Sequence, residues 1–388
     1  MSKAFFHLFS SAFRAPDYAP ALRCPDSWIK YAVMAGLLSC IAVEAFHLPR
    51  AEELSMQEAQ AVSFMRQATR EIGRYREELG IPIDPALDPN RSGLIGFEYS
   101  DMTTTEGSIK AKRTSLNPAF AALVVRLLRK AGVQTGDRVA VAFTGSFPAL
   151  NIAALSACRA LGLQPQIISS VGASSFGANI PGLTWLDMER RLVDAKIMPF
   201  RASAISLGGI VETGGGLDGN GFLLAREAMR RHGAPILDEG DFRVVERDML
   251  RRREIFERHG PVAAFINVGG ALTSLGWVPE AAKLDMGLLE KIPATSDANR
   301  GLIFRYFEAG IPVIHLLNVV RLAERHALPV DPVPLPEDAD PHRHLRRLAL
   351  CALILSVWAV ASVMLLKNES TPNPQSPHDG HGEKRKTF

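Results

Sequence analysis

Cysteine is scarce in this 388-residue chain, with four in all, and only Cys158 lies in the central region. Cys40 and Cys351 fall inside apolar runs and Cys24 just ahead of the first. A disulfide framework within the central region is therefore excluded, and no CxxC or Cys/His spacing suits zinc, so no metal site is expected. Scarce cysteine leaves both sides of a membrane open as the compartment. Nucleotide fingerprints are also missing. No GxGxxG follows a strand-like run and no GxxxxGK[ST] occurs, so no cofactor is expected. Ser146 sits in Thr-Gly-Ser-Phe-Pro, which lacks the GxSxG of a nucleophile elbow. No charge sign dominates, with a net +3 for the whole chain. Residues 1–30 carry +2 and 342–388 carry +4, which leaves about −3 for the centre. A slightly acidic centre makes nucleic acid a poor partner. What is present suits a folded protein, with 47% apolar and 22% charged residues.

Two apolar runs stand near the ends. Leu348–Leu366 is 19 residues without a charge, bracketed by Arg346, Arg347 and Lys367. That is about the length needed to cross a hydrocarbon core of roughly 30 Å. The other run, Tyr31–Val43, is shorter, with Trp28 before it and Phe46–Leu48 extending it past Glu44. The 30 residues ahead of it are long for a leader, and Ala45-Phe46-His47 lacks a small-x-small cleavage pattern, so it reads as a retained anchor. The expected organisation is a tail at 1–27, a span at 28–48 and a juxtamembrane helical stalk at 49–90. A globular domain follows at 91–328, then a Pro-rich linker at 329–345, a second span at 346–367 and a disordered polar tail at 368–388. Lys3, Arg14, Arg23 and Lys30 precede the first span, which points to a cytoplasmic N-terminus and an extracytoplasmic central domain. The basic cluster His342–Arg347 pulls against that orientation.

Within the centre, strand-like runs alternate with Gly-rich turns and helical runs. Arg138–Phe143 leads through Thr144-Gly145-Ser146 into a helix over 148–161. Gln166–Ser170 ends in a Gly/Ser stretch, Ala202–Leu207 in Gly208-Gly209, and Val262–Asn267 in Gly269-Gly270. Ile311–Leu316 precedes a last helix. This pattern predicts an α/β fold: a mostly parallel sheet with helices on both faces, flanked by two transmembrane helices. Its strand order is not readable from the pattern.

Ligands of open α/β sheets gather at the carboxyl ends of the strands. Those ends hold Thr144, Gly145, Ser146, Ser169, Ser170, Gly172, Ser174, Gly208, Gly209, Asn267, Gly269 and Gly270. Glycine admits close approach to backbone amides, and a helix N-terminus favours an anion, so a carboxylate or phosphate cradle is expected there. The alternative is that these residues only shape turns. A dense polar stretch, Glu98–Pro118, adds Lys112 and Arg113, followed by a helix with Asn117 as its cap. His315 is the best-placed histidine, although a packing role is the more common fate of such a residue. Asp187 and Glu189 stand two apart, so on a helix they do not share a face.

Six segments of the centre resemble the poly-gamma-glutamate system protein family, found with bacterial capsule synthesis proteins. They are residues 103–107, 111–118, 144–151, 168–179, 184–189 and 265–270. The resemblance spans roughly 91–328. It implies an accessory membrane protein that helps make, export or tether an anionic, gamma-linked glutamate polymer. The implied partners are that polymer, or the membrane subunits of its synthase, together with the lipid bilayer of the cell (inner) membrane. It implies no catalytic residue. Two further readings stay open: an envelope hydrolase or amide-bond enzyme acting on the polymer or a related peptide, and an assembly factor without a ligand.

Overall fold

A computed structural model describes residues 54–210, 212–237, 245–295 and 299–336, and six helical residues between 349 and 360. Two units separate: one is 54–339, the other pairs 1–53 with 340–388. In the second, only Ala349, Ala352, Leu353, Ser356, Val357 and Val360 are described, all helical. Ser356 Oγ donates to the Ala352 carbonyl at 2.8 Å. The expected first span, both tails and most of the second span lie outside the described residues. No helix among the described residues is long and apolar enough to cross a membrane.

The 54–339 unit opens with α1 (Met56–Glu78) and β1 (Thr103–Thr105), then α2 (Ile109–Ser115) and α3 (Ala119–Lys130). Next come β2 (Arg138–Phe143), α4 (Pro148–Leu161), β3 (Gln164–Ser170) and the short β4 (Ala173–Ser174), β5 (Asn179–Ile180) and β6 (Leu183–Thr184). They lead to α5 (Trp185–Asp194), β7 (Ala204–Ser206), α6 (Gly219–His232) and α7 (Val245–Glu257). The unit closes with β8 (Ala264–Val268), α8 (Leu272–Leu275), β9 (Gly287–Leu288), α9 (Leu302–Glu308), β10 (Val313–Leu316) and α10 (Val319–Arg325).

Six strands form the central sheet, in the order β7-β3-β2-β8-β10-β9. All neighbours run parallel except β9, antiparallel at the edge. The strands are apolar on both faces, as a covered parallel sheet requires. Val139, Val141 and Ile266 face a core shared with α1, α3, α4, α5, α6 and α10. Ala140, Ile168 and Phe265 face a second core with α7 and α9. Alternation along each strand thus buries one set of side chains on each side. The chain builds β2, β3 and β7 toward one edge, then returns to place β8 on the other side of β2. The carboxyl ends of β2 and β8 therefore flank the point where the strand order reverses, where open sheets leave a crevice.

Local signals explain the helix ends. Ser55 and Glu58 form a capping box at the start of α1, and Thr184 with Asp187 does so at α5. The N-cap of α3 is Pro118, which has no side-chain cap bond, rather than the expected Asn117; Asn117 stands one position earlier, and its Oδ1 accepts from the Ala119 amide at 3.0 Å. Two expectations need correction. Residues 56–78 do not form a free stalk. Ala61, Met65, Ala68 and Ile72 are fully buried in the larger core, because α1 turns its apolar stripe onto α3 and α4. The domain thus begins near Leu54 rather than at 91. The described part of the Pro-rich segment is not a free linker either. Arg66 Nη2 donates to the Pro336 carbonyl, and Asn90 bonds the Pro332 carbonyl and the Leu335 amide.

Candidate functional site

Above the β2/β8 division lies a cleft of about 480 Å³. Its floor is built from the turns that leave β2, β3, β7 and β8: Thr144 and Ser146, Ser170 and Gly172, Gly209, and Gly270. One wall is a small ribbon in which β1 pairs parallel with β4, bringing Thr104, Thr105 and Ser174 to the rim. The other side carries Ile210 and Trp277, 51% and 60% exposed. The turns are stitched together by backbone bonds. The Gly145 amide donates to Gly172, the Gly172 amide to Leu207 and the Gly269 amide to Leu316.

Lys112 reaches into this cleft from α2, and its surroundings are unusual. It is 2% exposed, yet no carboxylate among the described residues pairs with it. Its Nζ donates to the Ser146 carbonyl and, at 2.7 Å, to Ser174 Oγ. The ammonium lies 3.8 Å from the centre of the Phe147 ring. Ser146 Oγ in turn accepts from the Ser174 amide at 3.1 Å. Burial without a counter-charge pushes the Lys112 amine down from 10.5 to about 7. Helix α4, with Pro148 in its first turn, points its amide end toward the same turn that holds Ser146.

Glu212, absent from the sequence-level candidates, also lines the cleft. It is 5% exposed and adopts a left-handed backbone at φ 62°. Arg252 Nη2 lies 3.2 Å from one carboxylate oxygen and Thr273 Oγ1 3.3 Å from the other. Burial raises its carboxyl above the ordinary range, and Arg252 works against that rise. The run of glycines around it, 208 to 216, was the only signal in the sequence, and it reads as a turn. Trp277 carried no signal at all.

Of the expected site residues, Lys112, Thr144, Ser146, Ser170, Gly172, Ser174, Gly209 and Gly270 line the one cleft. The others do different work. Arg113 turns away and grips Asp331 with both ends of its guanidinium, Nε to Oδ1 at 2.7 Å. Ser169 precedes Ser170 on a strand, so their side chains take opposite faces. Its hydroxyl bonds Glu189 and accepts from Trp185 Nε1, both at 3.2 Å. Asn267 Nδ2 donates to the Gly269 carbonyl and to His315 Nδ1, at 2.8 and 3.0 Å. Gly145, Gly208 and Gly269 sit in the same turns but do not line the cleft. At Gly269, with φ 95°, an added Cβ would come within 2.3 Å of Thr144 Oγ1, so only glycine fits.

His315 is buried beneath the floor, and burial holds it neutral, down to about 4. Asp187 caps α5 and pairs with Arg231 at 2.9 Å. Glu189 meets His232 at 2.6 Å in the core. The two carboxylates point to separate partners, as their spacing requires. Among the described residues, no three His, Cys, Asp or Glu side chains gather as a metal site. A second depression, of about 420 Å³, runs along α1 between Arg66, Arg70, Arg74 and Arg91. It has no strand ends converging on it. Comparison with protein-family models, with curated proteins and with solved structures finds no match for this chain.

Proposed function

We propose that the chain is a membrane-anchored accessory protein of poly-gamma-glutamate synthesis, export or tethering, whose cleft holds a carboxylate of the polymer. The observation that carries this reading is Lys112, a buried cation with no counter-charge among the described residues, at the edge of a cleft lined by hydroxyls and turn amides. A carboxylate would supply the missing charge and accept from Lys112 and Ser174. The anchoring half rests on the 19-residue charge-free run at 348–366 and on the basic residues beside both apolar runs. The six described residues of that run are helical, and Ser356 satisfies its hydroxyl within the helix. The polymer itself comes from the family resemblance of residues 91–328.

Binding of a gamma-linked glutamate oligomer to the full chain in detergent, followed by calorimetry, tests the reading. Affinity is expected to fall as salt rises, and to fall as pH passes upward through about 7 and Lys112 loses its charge. Lys112→Met should abolish it. Equal binding by that variant would sink the proposal.

A further inference from the structure

We infer that Ser174 is a nucleophile and Lys112 its general base, so that the same cleft cleaves an acyl bond through an ester formed on Ser174. This rests on the carboxylate reading above only for the identity of the substrate, a gamma-glutamyl amide.

The geometry separates Ser174 from its neighbours. Its Oγ lies 2.7 Å from Lys112 Nζ, within reach for direct proton transfer. Ser146 Oγ is instead an acceptor for the Ser174 amide, so it fixes the nucleophile's backbone and, among the described residues, meets no basic side chain. Lys112 is held in place by the Phe147 ring and the Ser146 carbonyl. A lysine kept for structure alone would be expected at the surface or against a carboxylate. Among the described residues this one has neither, and its ammonium is met by a carbonyl, a hydroxyl and the Phe147 ring in place of a counter-charge. Nucleophile and base adjoining at a cleft are the signature of an activated hydroxyl, and Ser–Lys pairs are one known form of it. The other titratable groups on the cleft wall are Glu106, exposed, and Glu212, engaged by Arg252 and Thr273. Neither touches Ser174. Desolvation brings Lys112 to about 7, so a large share of molecules carry the free amine at neutral pH.

Neutral Lys112 Nζ takes the Ser174 Oγ proton while Oγ bonds to the substrate carbonyl carbon. The carbon–nitrogen bond breaks, and the departing amine takes the proton from Lys112. Water then adds to the ester, giving its proton to Lys112, and the acid leaves as Ser174 regains its hydroxyl. The sum is amide plus water to acid plus amine.

A fluorophosphonate probe reads the nucleophile without any assumption about substrate. Oγ bonds to phosphorus, fluoride leaves, and Lys112 takes the proton. Applied to the full chain in detergent, the probe should add one adduct, mapped by mass spectrometry to Ser174. Its rate should rise with pH through about 7. Ser174→Ala should not label, and Lys112→Met should slow labelling at least ~100-fold, the lower range for loss of a general base. Ser174→Cys gives a second readout: its alkylation by iodoacetamide should depend on Lys112. Absence of an adduct between pH 6 and 9, labelling elsewhere, or an unchanged rate in Lys112→Met would overturn the inference. If Ser174 labels while poly-gamma-glutamate keeps its length, the substrate reading fails and the nucleophile stands. If oligomer binds the native chain, Lys112→Met loses that binding and nothing labels, the nucleophile fails and the binding reading stands.

Discussion

Lys112 and Arg113 are neighbours of the same charge with opposite roles, and that difference sets two predictions. The ordinary pKa of Lys112 in an unfolded chain, 10.5, falls to about 7 in the fold. The unfolded state therefore binds more protons between those values, and folding is favoured as pH rises through that window. The cost of the buried charge is complete below about 7 and fades toward 10.5. Lys112→Met removes that cost. Its stability relative to the native chain should be higher at pH 6 than at pH 10, by on the order of 3–5 kcal/mol at about 1.4 kcal/mol per pKa unit. Chemical denaturation at both pH values checks this, and an equal difference at both would refute it. Arg113→Ala should instead lose about 1–3 kcal/mol through its bidentate grip on Asp331, and leave oligomer binding unchanged. Sequence reading grouped the two because burial and direction of a side chain depend on the fold around it. Ser169 and Ser170 were grouped for the same reason, although strand alternation alone allowed only one of them to face the floor. Gly145 shows a limit of turn glycines as probes. An added Cβ there would sit 2.8 Å from the Val171 carbonyl, so Gly145→Ala disturbs the fold whatever the ligand.

Elements were more legible than their arrangement. The run 138–143 and the helix at 148–161 appear as read, because an apolar strand, a Gly/Ser turn and a Pro at the first helical turn agree locally. Strand order was not legible, since it depends on pairings between residues far apart, such as Val139 with Ala264. The helical character of α1 was legible from Met56, Ala59, Val62, Phe64 and Met65 recurring near helical spacing, but its partner was not: such a stripe could face any apolar surface. In the fold it faces α4, and Arg191 of α5 ties the helix down through Glu71 at 2.7 Å. Ile72→Ala, at a site with no exposure, is therefore expected to destabilise the whole domain by about 2–5 kcal/mol. A single cooperative unfolding transition shifted to lower denaturant checks it. A stalk independent of the domain would leave that transition in place.

At the scale of the molecule, an α/β domain presents a cleft built where the strand order reverses, lined by Lys112, for which no carboxylate partner stands among the described residues. Tethering predicts that the full chain sediments with membranes and resists release by salt or alkaline carbonate. Release by either would remove the anchoring half of the account. The proposed binding of a carboxylate turns on Lys112. Binding and protonation at one site are linked, so a ligand that prefers the ammonium must raise its pKa by the same free energy. The most direct test is a pH titration of the Lys112 side chain by carbon-13 NMR in the full chain, with and without saturating gamma-glutamate oligomer. The account predicts a midpoint of about 7 in the free protein and a rise of at least one unit with oligomer bound. A midpoint that does not move on saturation would contradict it.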